Sequence, residues 1–395
     1  MPSEWLFFLA VLLLPVAAFS GWYLARRDSF HSIHSAANSP AMSPDYFKGL
    51  NYLLNDRPDK AIEAFIKVLE VESETVETHL ALGSLFRRRG EVDRAIRIHQ
   101  NLVARPALDI EQRYLAVLEL GVDYMRGGLL DRAESLFKEL LDSGAHERQA
   151  LHHLIDIYQQ EKDWDNALVY SRRLESIAGL NSGQMRAHFL CEQAAQSHES
   201  GAQEAAWDCL KRAQDADANC VRASMMSAEY AMAQEHYISA IEHLKRIEHQ
   251  DIDFLPEAIA PLVRCYTALD RPNELAVYLE RLAELHVGIT PVLTLAELTM
   301  ESGDAEEAKK RLVKELKVRP TVRGIDRLID YSLQAANGEA AEDFRLLKEV
   351  TASLIEGNSS YECRTCGFKG RSLHWQCPSC QSWNTVKPIH GIEGE

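Results

Sequence analysis

An alanine recurs along most of the chain at intervals close to 34 residues. Three of the seven intervals are 34 residues, and the other four range from 32 to 39 residues. The recurring positions are Ala61, Ala95, Ala133, Ala167, Ala206, Ala240, Ala276 and Ala308. A glycine lies twelve residues before each of the first three, and a Phe or Leu lies four residues after five of them. Small residues let two helices pack closely, and we expect the large side chain to fill the groove against the next unit.

A period of this length is that of the tetratricopeptide repeat, a pair of antiparallel helices. We therefore predict an all-α, superhelical solenoid of such repeats over residues 44–357, with a concave face that binds peptides or proteins. The last two helices, after Pro320, should cap the stack and present a polar outer face. The formal net charge of −16 argues against a nucleic-acid-binding array.

The N-terminal stretch from Trp5 to Ala25 contains 21 residues and no charge. As a helix it would span about 31 Å, the thickness of a bilayer core. A cleaved signal peptide would carry positive charge before the apolar stretch, whereas here Arg26 and Arg27 follow it. We predict a transmembrane anchor over 1–27 and a polar linker over 28–43, with the N-terminus outside and the rest of the chain in the cytoplasm.

The C-terminal segment, 358–395, carries two CxxC pairs separated by ten residues. The predicted metal ligands are Cys363, Cys366, Cys377 and Cys380. Two such turns supply a tetrahedral shell of four thiolates, which suits one zinc or one iron ion and leaves no open position for a substrate. His374 is an alternative ligand that four cysteines make unnecessary. The aromatic residues Phe368, Trp375 and Trp383 should wrap the site or dock this small module on the array.

A basic run stands out in the otherwise acidic array. Its candidate partner-binding residues are Arg87, Arg88, Arg89 and Arg94. They could bind a carboxylate-rich segment of a partner or anionic lipid headgroups. The alternative is a solvated helix end whose positive charge complements the helix dipole.

The order of these parts resembles the lipopolysaccharide assembly protein B family of Gram-negative bacteria. The resemblance rests on the anchor ending in Arg26-Arg27, the repeats from Tyr46 to about Val318, and the rubredoxin-like ribbon that contains Cys363-Arg-Thr-Cys-Gly and Trp-Gln-Cys-Pro-Ser-Cys380. It implies a bacterial inner-membrane adaptor, not an enzyme, that presents the lipid A deacetylase to the FtsH protease. It also implies that the anchor meets a membrane regulator. Of the family's functional positions, only the four cysteines carry over residue by residue.

Two other functions stay open at this point. One is a general scaffold that gathers several lipopolysaccharide-synthesis enzymes at the inner membrane. The other is electron transfer through an iron bound by the four cysteines, although no flavin or dinucleotide motif accompanies them.

Overall fold

The computed structural model describes residues 44–55, 57–71, 76–179, 182–285, 288–334, 336–392 and 394–395. The predicted anchor, 1–27, and the predicted linker, 28–43, lie outside the described residues. Among the helices that are described, none is both long and apolar enough to cross a bilayer.

The described chain consists mainly of consecutive pairs of helices, followed by a small sheet. The helices are α1 (Pro44–Leu54), α2 (Pro58–Val71), α3 (Val76–Arg88), α4 (Val92–Val103), α5 (Ile110–Arg126), α6 (Leu130–Ser143), α7 (Glu147–Glu161), α8 (Trp164–Ala178), α9 (Gly183–Glu199), α10 (Gln203–Ala216), α11 (Val221–Ala233), α12 (Tyr237–Gln250), α13 (Leu255–Ala268), α14 (Pro272–Glu284), α15 (Thr290–Glu301), α16 (Ala305–Val318), α17 (Val322–Leu333) and α18 (Glu339–Gly357). A single 3₁₀ turn, Ile252–Phe254, precedes α13.

The recurring alanines all lie in the second helix of a pair, from α2 to α16. Seven of the eight are completely buried, and Ala276 is partly buried beside the buried Leu275. Because a methyl group is the largest side chain that these close contacts admit, the spacing of the alanines marks the packing of one helix on its partner. The predicted tetratricopeptide-like, mostly helical fold is confirmed.

The glycines that precede the alanines make room for one particular ring. A Cβ atom built on Gly49 would lie 2.7 Å from the Phe65 ring, and one on Gly121 would lie 2.6 Å from the Phe137 ring. Each ring thus covers the glycine of its own helix pair. Our expectation that this side chain mainly fills the groove against the next unit was therefore incomplete, because its first contact is within the pair.

The described residues divide into two compact units, with the boundary between Ala150 and Leu151. In the first unit, Phe65, Leu82 and Phe86 centre a core shared by α2, α3 and α4. In the second unit, a larger core runs through α11 to α14 and includes the completely buried Phe254 and Leu279.

The final helix pair departs from our expectation of a polar cap. The outward side of α18 exposes Leu346 by 62%, Leu347 by 49%, Val350 by 51% and Leu354 by 50%. The opposite side holds α18 on α17, since Lys348 Nζ lies 2.7 Å from a carboxylate oxygen of Asp326. The two predicted helices are present, but their outer face is apolar.

After α18 the chain forms a three-stranded antiparallel sheet that we call the ribbon (residues 361–388). Its strands are β1 (Tyr361–Cys363), β2 (Lys369–Gly370) and β3 (Val386–Pro388), in the order β2-β1-β3. In the register, Glu362 lies opposite Lys369 on one side and opposite Lys387 on the other. A single bridge joins Gln376 to Trp383.

Candidate metal centre

The four predicted ligands converge at one end of the ribbon. Their sulfur atoms all lie within 4.8 Å of one another. The Sγ atoms of Cys363 and Cys380 are 3.7 Å apart, and those of Cys366 and Cys377 are 3.6 Å apart. Four thiolates about 2.3 Å from a central zinc ion would be separated by about 3.8 Å. The sulfur positions therefore fit one tetrahedral ion.

Two similar turns produce this convergence. Each begins at the first cysteine of a pair, whose carbonyl accepts a backbone hydrogen bond from the residue four positions later: Gly367 N to Cys363 O at 2.9 Å, and Gln381 N to Cys377 O at 2.8 Å. Gly367 and Gln381 both have positive φ, +74° and +57°. Glycine adopts this conformation without strain, which explains Gly367. In the second turn, Gln381 adopts it at a cost that the fold offsets.

Hydrogen bonds lower the pKa of two of the four thiols, Cys363 and Cys380. The hydroxyl group of Thr385 lies 3.3 Å from Cys363 Sγ. Although desolvation acts in the opposite direction, this hydroxyl and nearby backbone N–H groups lower the pKa of Cys363 to about 6. Thiolates are the form that binds metal, so Cys363 favours the ligating state at neutral pH. Burial has the opposite effect on Cys377 and raises the pKa of that thiol to about 11.

The burial of the ligands fits a structural site. Cys363 and Cys377 are buried, Cys380 is partly buried and Cys366 is exposed. Four cysteine thiolates complete a tetrahedral shell, and zinc and iron both suit such a donor set. Among the described residues, His374 is not part of the group that could hold the ion. Its ring instead meets the edge of Phe368, 6.1 Å away between centroids.

The ribbon docks on the helices of the second unit through its two tryptophans. Trp383 stacks on His188 of α9 with ring centroids 5.0 Å apart, and its Nε1 donates a 2.8 Å hydrogen bond to Gln159 Oε1 of α7. Trp375 packs on Phe254, with centroids 5.2 Å apart. The predicted docking role of these tryptophans agrees with their contacts, whereas Phe368 packs inside the ribbon.

Opposite charges surround this apolar contact. Lys387 pairs with Asp251, and the guanidinium group of Arg364 lies 3.9 Å from Asp253. Tyr361 donates a 2.5 Å hydrogen bond from its hydroxyl group to Glu257 on α13. Basic side chains of the ribbon thus meet acidic residues that lie just before α13. The ribbon covers the first helices of successive pairs, from α7 to α13.

His188 lies under the ribbon as a neutral ring. It is 1% exposed. Burial, with the nearby charges of Arg222 and Lys387, lowers the pKa of His188 to about 3. A protonated imidazole would have to share this space with two cations, so the docked state favours the uncharged form.

The basic run is dispersed among partners within the first unit. Arg87 is mostly buried and makes ion pairs with Glu119 at 2.6 Å and Asp123 at 2.7 Å. Arg89 pairs with Asp59 and Glu91, and Arg94 pairs with Glu91. Arg88 is exposed at the end of α3. Partner binding by these arginines stays a prediction, and the buried position of Arg87 gives that residue a structural role as well.

The structure also reveals a buried polar group that sequence reasoning did not identify. His99 and Asp123 are completely buried and lie 2.5 Å apart, between Nδ1 and Oδ2. Arg87 bonds the other oxygen of Asp123. The sequence did contain one indication of this group. His99 lies four residues after a recurring alanine, at the position where the neighbouring repeats have Phe65 and Phe137.

Comparisons with known proteins agree with both parts of the chain. A family model described as rubredoxin metal binding domain matches residues 361–388, and a tetratricopeptide repeat model matches residues 78–113. Lipopolysaccharide assembly protein B of Escherichia coli K12 is 40% identical over 387 residues, covering 98% of this chain and 99% of that protein. The Haemophilus influenzae protein of the same name is 34% identical over 395 residues, with the same coverage. Among solved structures, the C-terminal part of a tetratricopeptide-repeat protein from Cytophaga hutchinsonii matches 60% of this chain and 94% of that chain, at 15% identity and a TM-score of 0.45.

Proposed function

Because the chain belongs to the lipopolysaccharide assembly protein B family, we propose that it is an inner-membrane adaptor that regulates lipopolysaccharide synthesis. In this proposal it promotes degradation of the lipid A deacetylase by the FtsH protease. The observation that carries the proposal is the full-length relation to proteins named for lipopolysaccharide assembly, at 40% identity over 98% of the chain.

The structure supports an adaptor through its surfaces. Stacked helix pairs offer extended faces that bind protein partners. Binding of this kind does not require the helix pairs to catalyse a reaction. In the second unit, the ribbon already occupies the first helices of several pairs, because Trp383 contacts α7 and α9 and Tyr361 contacts α13. Partners of this unit would therefore contact the outer side of the ribbon or the outer helices, and the metal would act by keeping the ribbon folded and docked.

The proposed mechanism is proximity. An anchor over 1–27 would confine the adaptor to the membrane that also holds the protease, and the membrane regulator would act on that anchor. Confinement raises the effective concentration, so weak contacts suffice for presenting the deacetylase. The adaptor itself breaks no bond.

The test is the half-life of the lipid A deacetylase in cells. It is measured with the wild-type chain, without the chain, and with Cys377→Ser plus Cys380→Ser at equal membrane levels. We expect deletion and the double substitution both to lengthen the half-life. A Cys191→Ser variant is the matched control, because this buried thiol lies in α9 outside the metal centre.

The outcomes separate the competing functions. If deletion leaves the half-life unchanged, the adaptor proposal is wrong, and co-purification of several lipopolysaccharide enzymes would favour a general scaffold. If deletion lengthens it but the double substitution does not, the helix pairs are sufficient and the ribbon has another task.

A further inference from the structure

The described residues that follow the ribbon, 389–392 and 394–395, form a segment that we call the tail. It includes Glu395, whose side chain is only 9% exposed. The carboxylate of Glu395 accepts a 3.1 Å hydrogen bond from Thr290 N and a 2.7 Å hydrogen bond from Thr290 Oγ1, and it pairs with Arg323. Thr290 is the first residue of α15, so the positive end of that helix faces the carboxylate as well. A backbone N–H, a hydroxyl group and a guanidinium group thus hold one buried carboxylate.

Helix α17 also binds the backbone of the tail. Val322 N, at the start of α17, donates a 2.8 Å hydrogen bond to Ile392 O. The side chain of Ile392 is 62% exposed, so an apolar side chain does not hold the tail at this point. The two helices instead hold a carboxylate and a peptide carbonyl that lie three residues apart in the chain. Recognition of both groups is typical of a site for an acidic protein segment and not of a site for a free anion.

The tail is folded into a turn that depends on glycine. Gly391 N donates a 2.8 Å hydrogen bond to Glu395 O, and Glu395 N donates a 2.8 Å hydrogen bond to Ile389 O. Gly391 has a φ of +115°, which glycine adopts without strain. A Cβ atom on Gly394 would clash with the carbonyl of Ile389. A segment that takes the same place therefore needs a compact acidic turn with glycine beside the carboxylate.

Unfilled space lies beside the tail. One cavity, of about 580 Å³, is lined in part by α13, α15 and the tail, and a second, of about 590 Å³, is lined in part by the residues before α15 and α17 and by the tail. Each has the volume of a ligand pocket, about 300–1,000 Å³. Because Glu395 lines both cavities, withdrawal of the tail would join them. The result is one groove at the starts of α15 and α17, which we call the tail groove.

The other carboxylates beside this groove already have partners. Glu297 pairs with Arg327 at 2.6 Å, and Glu257 accepts a hydrogen bond from Tyr361. The ion-pair partner of Arg323 among the described residues is the tail carboxylate. If the tail left, this guanidinium group and the first amide of α15 would lose their acceptor together, and an incoming carboxylate would restore it to both.

We propose that the tail groove is a binding site for an acidic turn of a protein partner, and that the chain's own tail occupies this site when no partner is bound. The tail is a tethered competitor whose effective concentration at the groove is on the order of millimolar, so the contact is autoinhibitory. The ribbon covers the first helices of pairs only as far as α13. While the tail is in place, partners are limited to the outer surfaces, and its withdrawal adds the starts of α15 and α17.

The experiment uses the purified full-length chain in detergent and a fluorescein-labelled peptide with the sequence of residues 389–395. Fluorescence anisotropy measures the apparent Kd of this probe. Glu395→Gln removes the charge that holds the chain's own tail, so we expect the Kd to fall at least about tenfold relative to the wild type. A probe with glutamine at its last position should bind the Glu395→Gln chain at least about tenfold more weakly than the original probe.

A second substitution tests the groove itself. Arg323→Gln, added to Glu395→Gln, should weaken probe binding at least about tenfold. Arg345→Gln in the same background is the matched control, because it removes the same charge from an exposed position on α18, and it should leave the Kd unchanged. Metal content and thermal unfolding check that each variant is folded. If Arg323→Gln does not fold, the probe with glutamine still tests the carboxylate on a folded chain.

Four outcomes would overturn the proposal. The first is a wild-type chain that binds the probe as tightly as the Glu395→Gln chain, and the second is no saturable binding to the Glu395→Gln chain. The third is a folded Arg323→Gln variant with unchanged affinity. The fourth is displacement of the probe by inorganic phosphate as readily as by the unlabelled peptide, because the groove would then be a general anion site. The assay contains neither protease nor deacetylase, so each of these results leaves the adaptor proposal standing.

Discussion

Replacing Trp383 with alanine should release the ribbon from the helices without unfolding either part. The indole ring makes the principal contacts of the docked ribbon with α7 and α9, and it lies three residues beyond the last metal ligand. The ligands themselves are unchanged by the substitution, so the ribbon should retain its metal.

The expected cost follows from the contacts of this side chain. Trp383 stacks on His188 and meets Phe189 edge to face, with centroids 5.0 and 6.0 Å apart. Two aromatic contacts contribute about 2 kcal/mol together. The hydrogen bond to Gln159 adds about 1 kcal/mol. A loss of about 3 kcal/mol corresponds to roughly a 100-fold increase in the population of the undocked state.

Hydrogen exchange followed by mass spectrometry measures this population. We expect faster exchange in residues 361–388, at unchanged metal content, with no change in α3 and α4 of the first unit. Trp383→Phe is the matched control, because it keeps a ring on His188 but loses the hydrogen bond, and it should raise opening only about fivefold. If Trp383→Ala exchanges within about threefold of the wild type while metal remains bound, the docking energetics argued above are wrong.

Three further perturbations test other parts of the structure. Since His188 binds a proton near pH 6.5 only when unfolded and its folded pKa is about 3, stability should fall as pH drops below 6.5, by about 2 kcal/mol at pH 5. Urea titrations should show this loss in the wild type but not in His188→Phe, and an equal loss in both would contradict it. Gly121→Ala should lower stability by about 1–3 kcal/mol in thermal unfolding because its methyl group meets a ring. Gly357→Ala, in open space, should have little effect, and equal costs for the two would refute the packing argument. Removing the metal with a chelator should abolish exchange protection in residues 361–388, whereas retained protection would show that the sheet folds without it.

Local sequence patterns were sufficient to predict both the helix pairs and the four-cysteine metal centre. The alanine spacing identifies the helix pairs because each alanine reports a close contact within one pair. The two CxxC turns identify the metal centre because each turn is closed by hydrogen bonds between residues four positions apart, such as Gly367 and Cys363. In both cases the residues that determine the geometry lie close together in the chain.

For contacts between residues far apart in the chain, the sequence predicted the type of residue involved but not its partners. The composition suggested that tryptophans would dock the ribbon, but not that Trp383 would meet Gln159 and His188. These partners carry no recurring spacing, and the choice depends on where the whole ribbon lies. The same holds for His99 and Asp123, whose pairing becomes visible only when α4 and α5 are placed side by side. The apolar face of α18 was missed because a repeat pattern does not say which helix is the last.

The helices that the ribbon covers are synthesised well before the ribbon itself. The hydrogen bond from Trp383 to Gln159 joins residues 224 positions apart. At about 5–20 residues per second, a ribosome needs roughly 10–45 s to travel from one to the other. Once α9 has been made, the face around His188 stays bare for the rest of that interval, and a chaperone or a neighbouring nascent chain can reach it. The chain can shield this face only after its last segment has emerged and acquired its metal, so a shortage of metal would prolong the exposure of newly made molecules.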